Sequence, residues 1–360
     1  MNIVFIGCGF VADFYIKSVS EHSALKLIGV WDHDDVQLAR FSEFYSVKKY
    51  TSMDDVLSDE SIDLVVNLTN PSSHFTISMQ CLEAGMHVYT EKPMAMSVGE
   101  CKDLLDYANK ARLSVFSAPC NFLSESFSAL KEMLDQDYVG KLRVVYAEMD
   151  DGMVHRMPYK KWLSTSGAPW PYKDEFEVGC TLEHAAYYVA PLVSLFGKVK
   201  QVSAFASCQI PDKLTDELVD RVAPDLSIAC LVFESGIIAR LTCSIIAPHN
   251  RELHIIGDEG VLKLRDCWEN NSSILLQRRI NIRRRTVDLP WVRKSPSLFS
   301  VGKSKKGMDF ALGLMKLKDE LSNGDKLLEM NAFSYHINEV VLAIHNSDKQ
   351  NGLITINSDI

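Results

Sequence analysis

Along the first third of the chain, apolar residues come in short unbroken runs bounded by glycine, proline or small polar residues. These runs alternate with stretches whose apolar positions recur every three to four residues. A run that is apolar at every position suits a strand buried on both faces, and the slower recurrence suits a helix with one buried stripe. Strands are therefore predicted at residues 2–6, 25–30, 62–68, 88–89 and 114–117. The intervening helices run to about residue 20 and over 36–45, 53–57, 72–84 and 97–111. Gly85 is placed to stop the fourth of them. Ser97 is placed to cap the fifth, with Glu100 three residues on as in a capping box. Strictly alternating strands and helices predict a parallel sheet with helices on both faces, over residues 1–120.

From Asn121 the pattern changes. One more helix is predicted at 122–134, followed by longer strands of period two starting at 142–149 and continuing at 199–206, 226–233, 237–246, 253–256 and 261–264. Glu234-Ser235-Gly236 reads as a hairpin turn. Two helices, at 308–322 and 332–346, close a second domain taken as residues 121–360, with a mostly antiparallel sheet. Residues 151–178 have no clear period and are rich in Trp, Tyr and Pro, before a helix beginning near Cys180. Loops of that length in compact domains are usually functional, so a wall or lid over a site is expected. Its His155, Arg156, Tyr159, Trp162, Trp170 and Tyr172 could line a sugar site, because aromatic faces and guanidinium forks suit hydroxyls and carboxylates. They could equally be packing.

Composition narrows the class. At 360 residues two domains are expected, and 47% hydrophobic with 24% charged residues is ordinary for a globular protein. A net charge of -9 argues against nucleic-acid or anionic-membrane partners. Nine cysteines without a CxxC pair read as the reduced thiols of a cytoplasmic protein, with no disulfide frame and no metal site. Residues 2–12 are apolar but lack a basic leader, and Asp13 interrupts them, so they are not read as a signal peptide. No run reaches the roughly 18 apolar residues of a membrane span. Residues 278–306 hold ten Lys/Arg and only Asp288 among the acids. This is either a solvated hairpin face, with Ile280 and Ile282 alternating with Arg279, Asn281 and Arg283, or the pocket edge of an anionic substrate.

Three stretches carry chemistry. Gly7-Cys8-Gly9-Phe10-Val11-Ala12 follows the first strand and opens a helix. In such a turn the first glycine allows the tight bend, the second lets backbone approach a pyrophosphate, and a small third residue lets helix pack on strand. Asp32 ends the second strand, where an acid binds ribose hydroxyls and repels a 2′-phosphate, favouring NAD over NADP. Thr69-Asn70-Pro71-x-x-His74 follows the third strand, and Glu91-Lys92-Pro93 follows the strand 88–89. A lysine at the carboxyl end of a sheet strand stands where open α/β sheets bind ligands.

Together these anchors resemble the Gfo/Idh/MocA family (glucose-fructose oxidoreductase, inositol dehydrogenase, rhizopine catabolism) over essentially the whole chain. The resemblance implies an α/β fold: an N-terminal Rossmann dinucleotide-binding domain plus a C-terminal α/β domain with an open, mostly antiparallel sheet. It implies NAD(P)-dependent oxidation or reduction of sugars, polyols or their derivatives, by a homodimer or homotetramer packed through that sheet. It assigns cofactor contacts to Gly7, Gly9, Phe10, Val11, Asp32, Thr69, Asn70, Pro71, His74, Glu91, Lys92 and Asn121, with Lys92 touching substrate as well. His74 has a helix-capping role as its alternative. A second family motif, Asp-x-Gly-x-His, corresponds to Glu183-His184-Ala185-Ala186-Tyr187, counted back from Phe196-Gly197. That register makes Tyr187 the acid/base, and another makes it His184. A neighbouring Lys92 ammonium would lower the Tyr187 pKa, while Glu183 would oppose this. The rival reading is a non-catalytic NAD-binding sensor or scaffold on the same fold.

Overall fold

The structure is a computed structural model that describes the chain except residues 217–222, 295–306, 324–325 and 350–351. The first sheet contains β1 (Asn2–Ile6), β2 (Lys26–Trp31), β3 (Leu64–Asn67), β4 (Val88–Thr90) and β5 (Val115–Ser117), all parallel, in the order β2-β1-β3-β4-β5. Helices α1 (Ala12–Val19), α2 (Asp35–Tyr45), α3 (Met53–Leu57), α4 (His74–Glu83) and α5 (Val98–Ala111) alternate with these strands. Ser97 accepts from the Glu100 N–H, and the Glu100 carboxylate accepts from Met96 N–H, so the predicted cap forms. The chain moves outward from β1 to β2 and then crosses to β3 on the other side. That reversal makes the gap between the ends of β1 and β3 the switch point where such sheets bind ligands. Gly7, at φ 101°, turns there; a Cβ on it would lie 2.6 Å from the Leu68 carbonyl, so only glycine permits the approach.

The second domain begins with α6 (Glu125–Asp135) and β6 (Leu142–Asp150), then α7 (Tyr172–Val178), α8 (Cys180–His184) and α9 (Ala186–Phe196). Strands β7 (Val199–Ser207), β8 (Leu226–Phe233), β9 (Ile238–Ser244), β10 (Leu253–Gly257), β11 (Gly260–Leu264), β12 (Ile274–Ile282), β13 (Arg285–Asp288) and β14 (Val292–Lys294) follow. Helices α10 (Leu312–Asn323) and α11 (Leu327–His345) and the short β15 (Ile354–Thr355) end the chain. The sheet order is β13-β12-β11-β10-β6-β9-β8-β7-β15, with β14 beside β12. Its ladders are antiparallel except β6 with β9. Period two holds along the strands. Val145, Ala147 and Met149 of β6 and Ala229, Leu231 and Phe233 of β8 are buried on the helix side. Tyr146, Phe205, Ile228 and Ile238 stay 37–58% exposed on the other face.

Two features depart from the expected division at residue 121. First, α10 returns to the first domain: Ala311, Leu314 and Leu317 are fully buried in the core that holds Tyr15, Tyr89 and Phe116. Gly313 allows this, since a Cβ there would lie 2.6 Å from the Tyr89 ring. Helix α11, which starts five residues earlier than the pattern suggests, then bolts the two sheets together. Asn331 Oδ1 accepts from Val115 N–H at 2.8 Å, Asn338 Oδ1 from Met94 N–H at 2.7 Å, and His336 Nε2 from Val199 N–H at 3.0 Å.

Second, residues 151–178 form an arm that reaches back onto the first domain. The Asp13 carboxylate on α1 accepts from Ser164 Oγ (2.8 Å), Ser166 N–H (2.7 Å), Ser166 Oγ (2.9 Å) and the Tyr45 hydroxyl (2.6 Å). On the other side of the switch point, Asn70 Nδ2 donates to Asp174 at 2.7 Å. The described part of the basic segment, residues 278–294, lies on β12–β14 at the far edge of the second sheet, and residues 295–306 lie outside the described residues. All nine cysteines are free. Among the described residues, no helix is long and apolar enough to cross a membrane.

Candidate active site

A cleft of about 1100 Å³ opens at the switch point, between the two domains and beneath the arm. Gly9, Phe10 and Val11 line one side, and Leu68, Thr69, Asn70, Pro71, Glu91 and Lys92 the other. The absent Cβ of Gly9 leaves open space, its nearest neighbour being Gln37 Oε1 at 3.9 Å. That opening, at the amino end of α1, suits the phosphates of a dinucleotide. His74 ties the two loops together: Nδ1 lies 2.6 Å from the Pro93 carbonyl and Nε2 2.9 Å from the Thr69 carbonyl. It lines the cleft from the first residue of α4, and that helix starts without a side-chain capping bond, since the His74 ring bonds these two carbonyls instead. Burial pushes its pKa down, although an imidazolium alone could donate to both carbonyls. Glu91 accepts from the Tyr15 hydroxyl at 2.7 Å and from Lys92 N–H at 3.0 Å, which fixes the strand end carrying the lysine.

Other residues named from the sequence sit elsewhere. Asp32 does not line the cleft. It is 6% exposed, and its carboxylate accepts from Cys8 N–H at 2.7 Å and Asp34 N–H at 2.9 Å, because the turn's own amides lie nearest. The cleft beside it is lined by Asp34, Gln37 and Arg40. Arg40 donates from Nη2 to the Cys8 carbonyl at 3.0 Å. Gly7 shapes the turn without facing the cleft. Asn121 is buried behind it, donating to the Tyr187 carbonyl at 2.8 Å and the Cys267 carbonyl at 3.2 Å. Of the arm residues, Trp162 and Trp170 line the cleft. Arg156 is exposed to solvent away from it. Tyr159 gives its hydroxyl to the Lys213 carbonyl and packs its ring, with Tyr172, against Phe176, so neither tyrosine faces the cleft.

At the inner end the side chains converge. The Lys92 ammonium pairs with the Glu183 carboxylate across the domain boundary, the two side chains being 13% and 5% exposed. Burial disfavours the Lys92 charge, but Glu183, Tyr187, Glu175 and Glu91 outweigh it and hold the ammonium well above the ordinary lysine value. Tyr187 packs 4.9 Å from the Trp268 ring, and its pKa is raised, not lowered. Burial dominates, and the help of Lys92 is offset by Glu91, Glu183 and Glu175. Of the two opposing influences expected from the sequence, the lowering by Lys92 does not prevail. His184 lines the same cleft, its Nδ1 3.3 Å from Asp151. Glu183 and Tyr187 lie on successive helices, broken near Ala185, and not on one continuous face.

Some cleft residues escaped the sequence reading. Asp13, Asp151, Glu175, Arg251 and Trp268 belong to no motif, and only long-range folding brings them to the cleft or its clasp. Glu175 has a raised pKa, from burial and then from Glu183. An acid ending a strand was the one signal available for Asp151. Among the described residues, no group of three or more His, Cys, Asp or Glu side chains is placed to hold a metal ion.

Comparison with known proteins agrees with this architecture. Residues 1–118 match the family model of an oxidoreductase family with an NAD-binding Rossmann fold, and residues 127–263 match the GFO/IDH/MocA C-terminal domain. The chain belongs to the GFO/IDH/MocA oxidoreductase family. The family's dinucleotide cofactor fits the cradle at Gly9, and the chain is an NAD-binding Rossmann protein. Among the relatives it resembles, trans-1,2-dihydrobenzene-1,2-diol dehydrogenase of Mus musculus is 22% identical over 266 residues, 73% of this chain and 74% of its own. Two solved structures share the fold. An oxidoreductase from Agrobacterium radiobacter, in complex with NAD+, L-tartaric acid and magnesium, superposes with a TM-score of 0.77 at 14% identity, covering 99% of this chain and 98% of its own. A 3-ketoreductase from Actinomadura kijaniata, in complex with TDP-benzene and NADP, superposes with a TM-score of 0.72 at 16% identity, covering 96% and 97%.

Proposed function

We propose that the protein transfers hydride between NAD or NADP and the carbinol or carbonyl carbon of a sugar, a polyol or a sugar derivative. The observation that carries this reading is the Lys92–Glu183 ion pair, made between the two domains in the cleft onto which the glycine turn opens. When bound, the dinucleotide accepts or supplies the hydride. Lys92, held charged by its acidic neighbours, hydrogen-bonds the substrate oxygen and stabilises the alkoxide that develops there. Tyr187, kept protonated, is a hydrogen-bond donor to the same region. The indoles of Trp162, Trp170 and Trp268 cover the apolar faces of a ring and keep water out.

The inner cleft holds Asp151, Asp174, Glu175 and Glu183 against Lys92 and Arg251, so an uncharged substrate suits it better than an anion. The basic residues of β12–β14 do not line the cleft, and the rest of that basic segment, residues 295–306, lies outside the described residues. The trans-diol named for the mouse relative belongs in the same screen as the sugars and polyols. The open face of the second sheet supports a homodimer or homotetramer, and the free thiols fit the reducing cytoplasm.

The test is NADH or NADPH absorbance during a screen of sugars, polyols and diols, with the wild type and Lys92→Ala. The variant is expected to lose about 10²–10⁴-fold in kcat/KM, as when charge stabilisation and proton-transfer assistance are removed. Near-normal turnover by Lys92→Ala would remove the catalytic reading and leave the NAD-binding sensor.

A further inference from the structure

We propose that the substrate carries an ammonium group, as an amino sugar or an aminopolyol does, and that Glu175 on α7 is its counter-ion in the cleft. This rests on the oxidoreductase reading above and narrows the substrate class of the same site. The cleft is a ligand site on grounds other than its acids. The glycine turn opens onto one end, and its volume of about 1100 Å³ exceeds the roughly 300–1,000 Å³ of a single small-molecule site, which leaves room beside a dinucleotide. Four acids line the inner end, Asp151, Asp174, Glu175 and Glu183, against the bases Lys92 and Arg251. Lys92 is taken by Glu183. Asp151 Oδ1 accepts from Arg251 Nε at 2.7 Å, and the Arg251 guanidinium lies 3.5 Å from the centre of the Trp268 ring. Asp174 accepts from Asn70 Nδ2 at 2.7 Å and has Lys173 beside it. Glu175 is left over. It is partly exposed and lines the cleft, and among the described residues no hydrogen bond or ion pair reaches its carboxyl.

A lone carboxylate is costly in that place. Burial disfavours its charge most, and Glu183 of α8 adds to this. Lys92 at the end of β4 works the other way, while Asp151 past β6 and Asp174 on α7 again oppose ionisation. The balance holds the Glu175 carboxyl well above the ordinary glutamate value. Tyr187 of α9 also feels Glu175, and its phenol stays protonated. A ligand ammonium supplies what is missing, a positive charge with three N–H donors and no acceptor. In a site shielded from water such a charge-assisted hydrogen bond is stronger than a neutral one, and a hydroxyl in the same position offers no charge. A metal ion suits the place less well. Among the described residues, no group of three or more His, Cys, Asp or Glu side chains is placed to hold one, and it would stand against the Lys92 ammonium. As the ammonium binds, Glu175 gives its proton to solvent and the two groups pair.

The test is isothermal titration of the NADH-loaded protein, in which the ligand cannot be oxidised. The ligands are matched pairs differing in one group: glucamine against sorbitol, Tris against pentaerythritol, and glucosamine against glucose. In at least one pair the amine is expected to bind about tenfold tighter than its neutral partner at neutral pH, the worth of one hydrogen bond to a charged group. That preference should grow between about pH 5 and about pH 7, as the carboxyl gives up its proton more readily. In Glu175→Gln it should fall to about twofold or less, because the amide offers no charge. Neutral partners that bind as tightly as the amines in every pair overturn the proposal. So do amines that all fail to bind, and so does a full preference in Glu175→Gln. Should that variant fail to fold, the wild-type ratios and their pH dependence decide. The absorbance screen, with the same amines added, tests the oxidoreductase reading separately. A preference for amines with no turnover of any substrate removes the reaction and leaves the cation site. Turnover of neutral polyols with no such preference does the reverse.

Discussion

Tyr187 and His336 are both aromatic groups whose titration is governed by what surrounds them. For the phenol of Tyr187 the sequence set a lowering by Lys92 against an opposing Glu183. The same fold that brings Lys92 close also brings Glu91, Glu183 and Glu175 and excludes water, and those effects win. His336 gives a testable case of the same physics. It is buried in α11, with Nε2 accepting from Val199 N–H and Nδ1 2.6 Å from Ser358 Oγ, and burial lowers its pKa to about 4. The unfolded chain therefore binds a proton near pH 6.5 that the folded chain refuses until about pH 4. This contribution to stability is complete above pH 6.5 and is lost as pH falls towards 4, by roughly 3 kcal/mol over the window. Denaturant titrations at pH 7 and pH 4.5 should show the loss. His336→Gln should flatten that dependence, and an unchanged slope would contradict this account.

The arm is the element least visible in the sequence. Its aromatic content marked it as a loop with a job, but its path depends on Asp13, a single acid on α1. Four donors, from Ser164 and Ser166 of the arm and Tyr45 of α2, converge on that carboxylate, which is 4% exposed. Arm residues Trp162 and Trp170 pack against each other, tilted, at 5.0 Å and line the cleft, so the clasp also shapes the route by which a cofactor enters. In Asp13→Ala those donors lose their acceptor. Proteolysis within residues 160–170 should become faster, and NAD should dissociate several-fold faster in stopped-flow fluorescence, while the thermal transition of the sheets changes less. Protease resistance equal to the wild type would show that the aromatic packing alone holds the arm.

At the scale of the whole molecule, the second sheet has one face closed by helices and one open. Tyr146, Phe205, Ile228 and Ile238 on the open face are a large apolar area for a lone chain, which is why a second copy is expected to cover it. Ile228→Lys with Phe205→Glu should lower the molar mass seen in light scattering to that of one chain, without loss of helical signal. A wild type that is already a monomer at micromolar concentration would refute the interface. The parallel sheet, the glycine turn, the predicted caps and the Lys92 strand end were legible from residues alone, because each follows from local periodicity or turn chemistry. The return of α10 to the first core, the arm's anchor, and the Asp151–Arg251–Trp268 frame were not. They join residues far apart in sequence, and only the folded chain's packing determines which of many possible partners a carboxylate or an indole meets. For the same reason the sequence placed Lys92, His184 and Tyr187 among the candidates, whereas burial and neighbouring charge, which exist only in the tertiary structure, decided which of them can hold or release a proton.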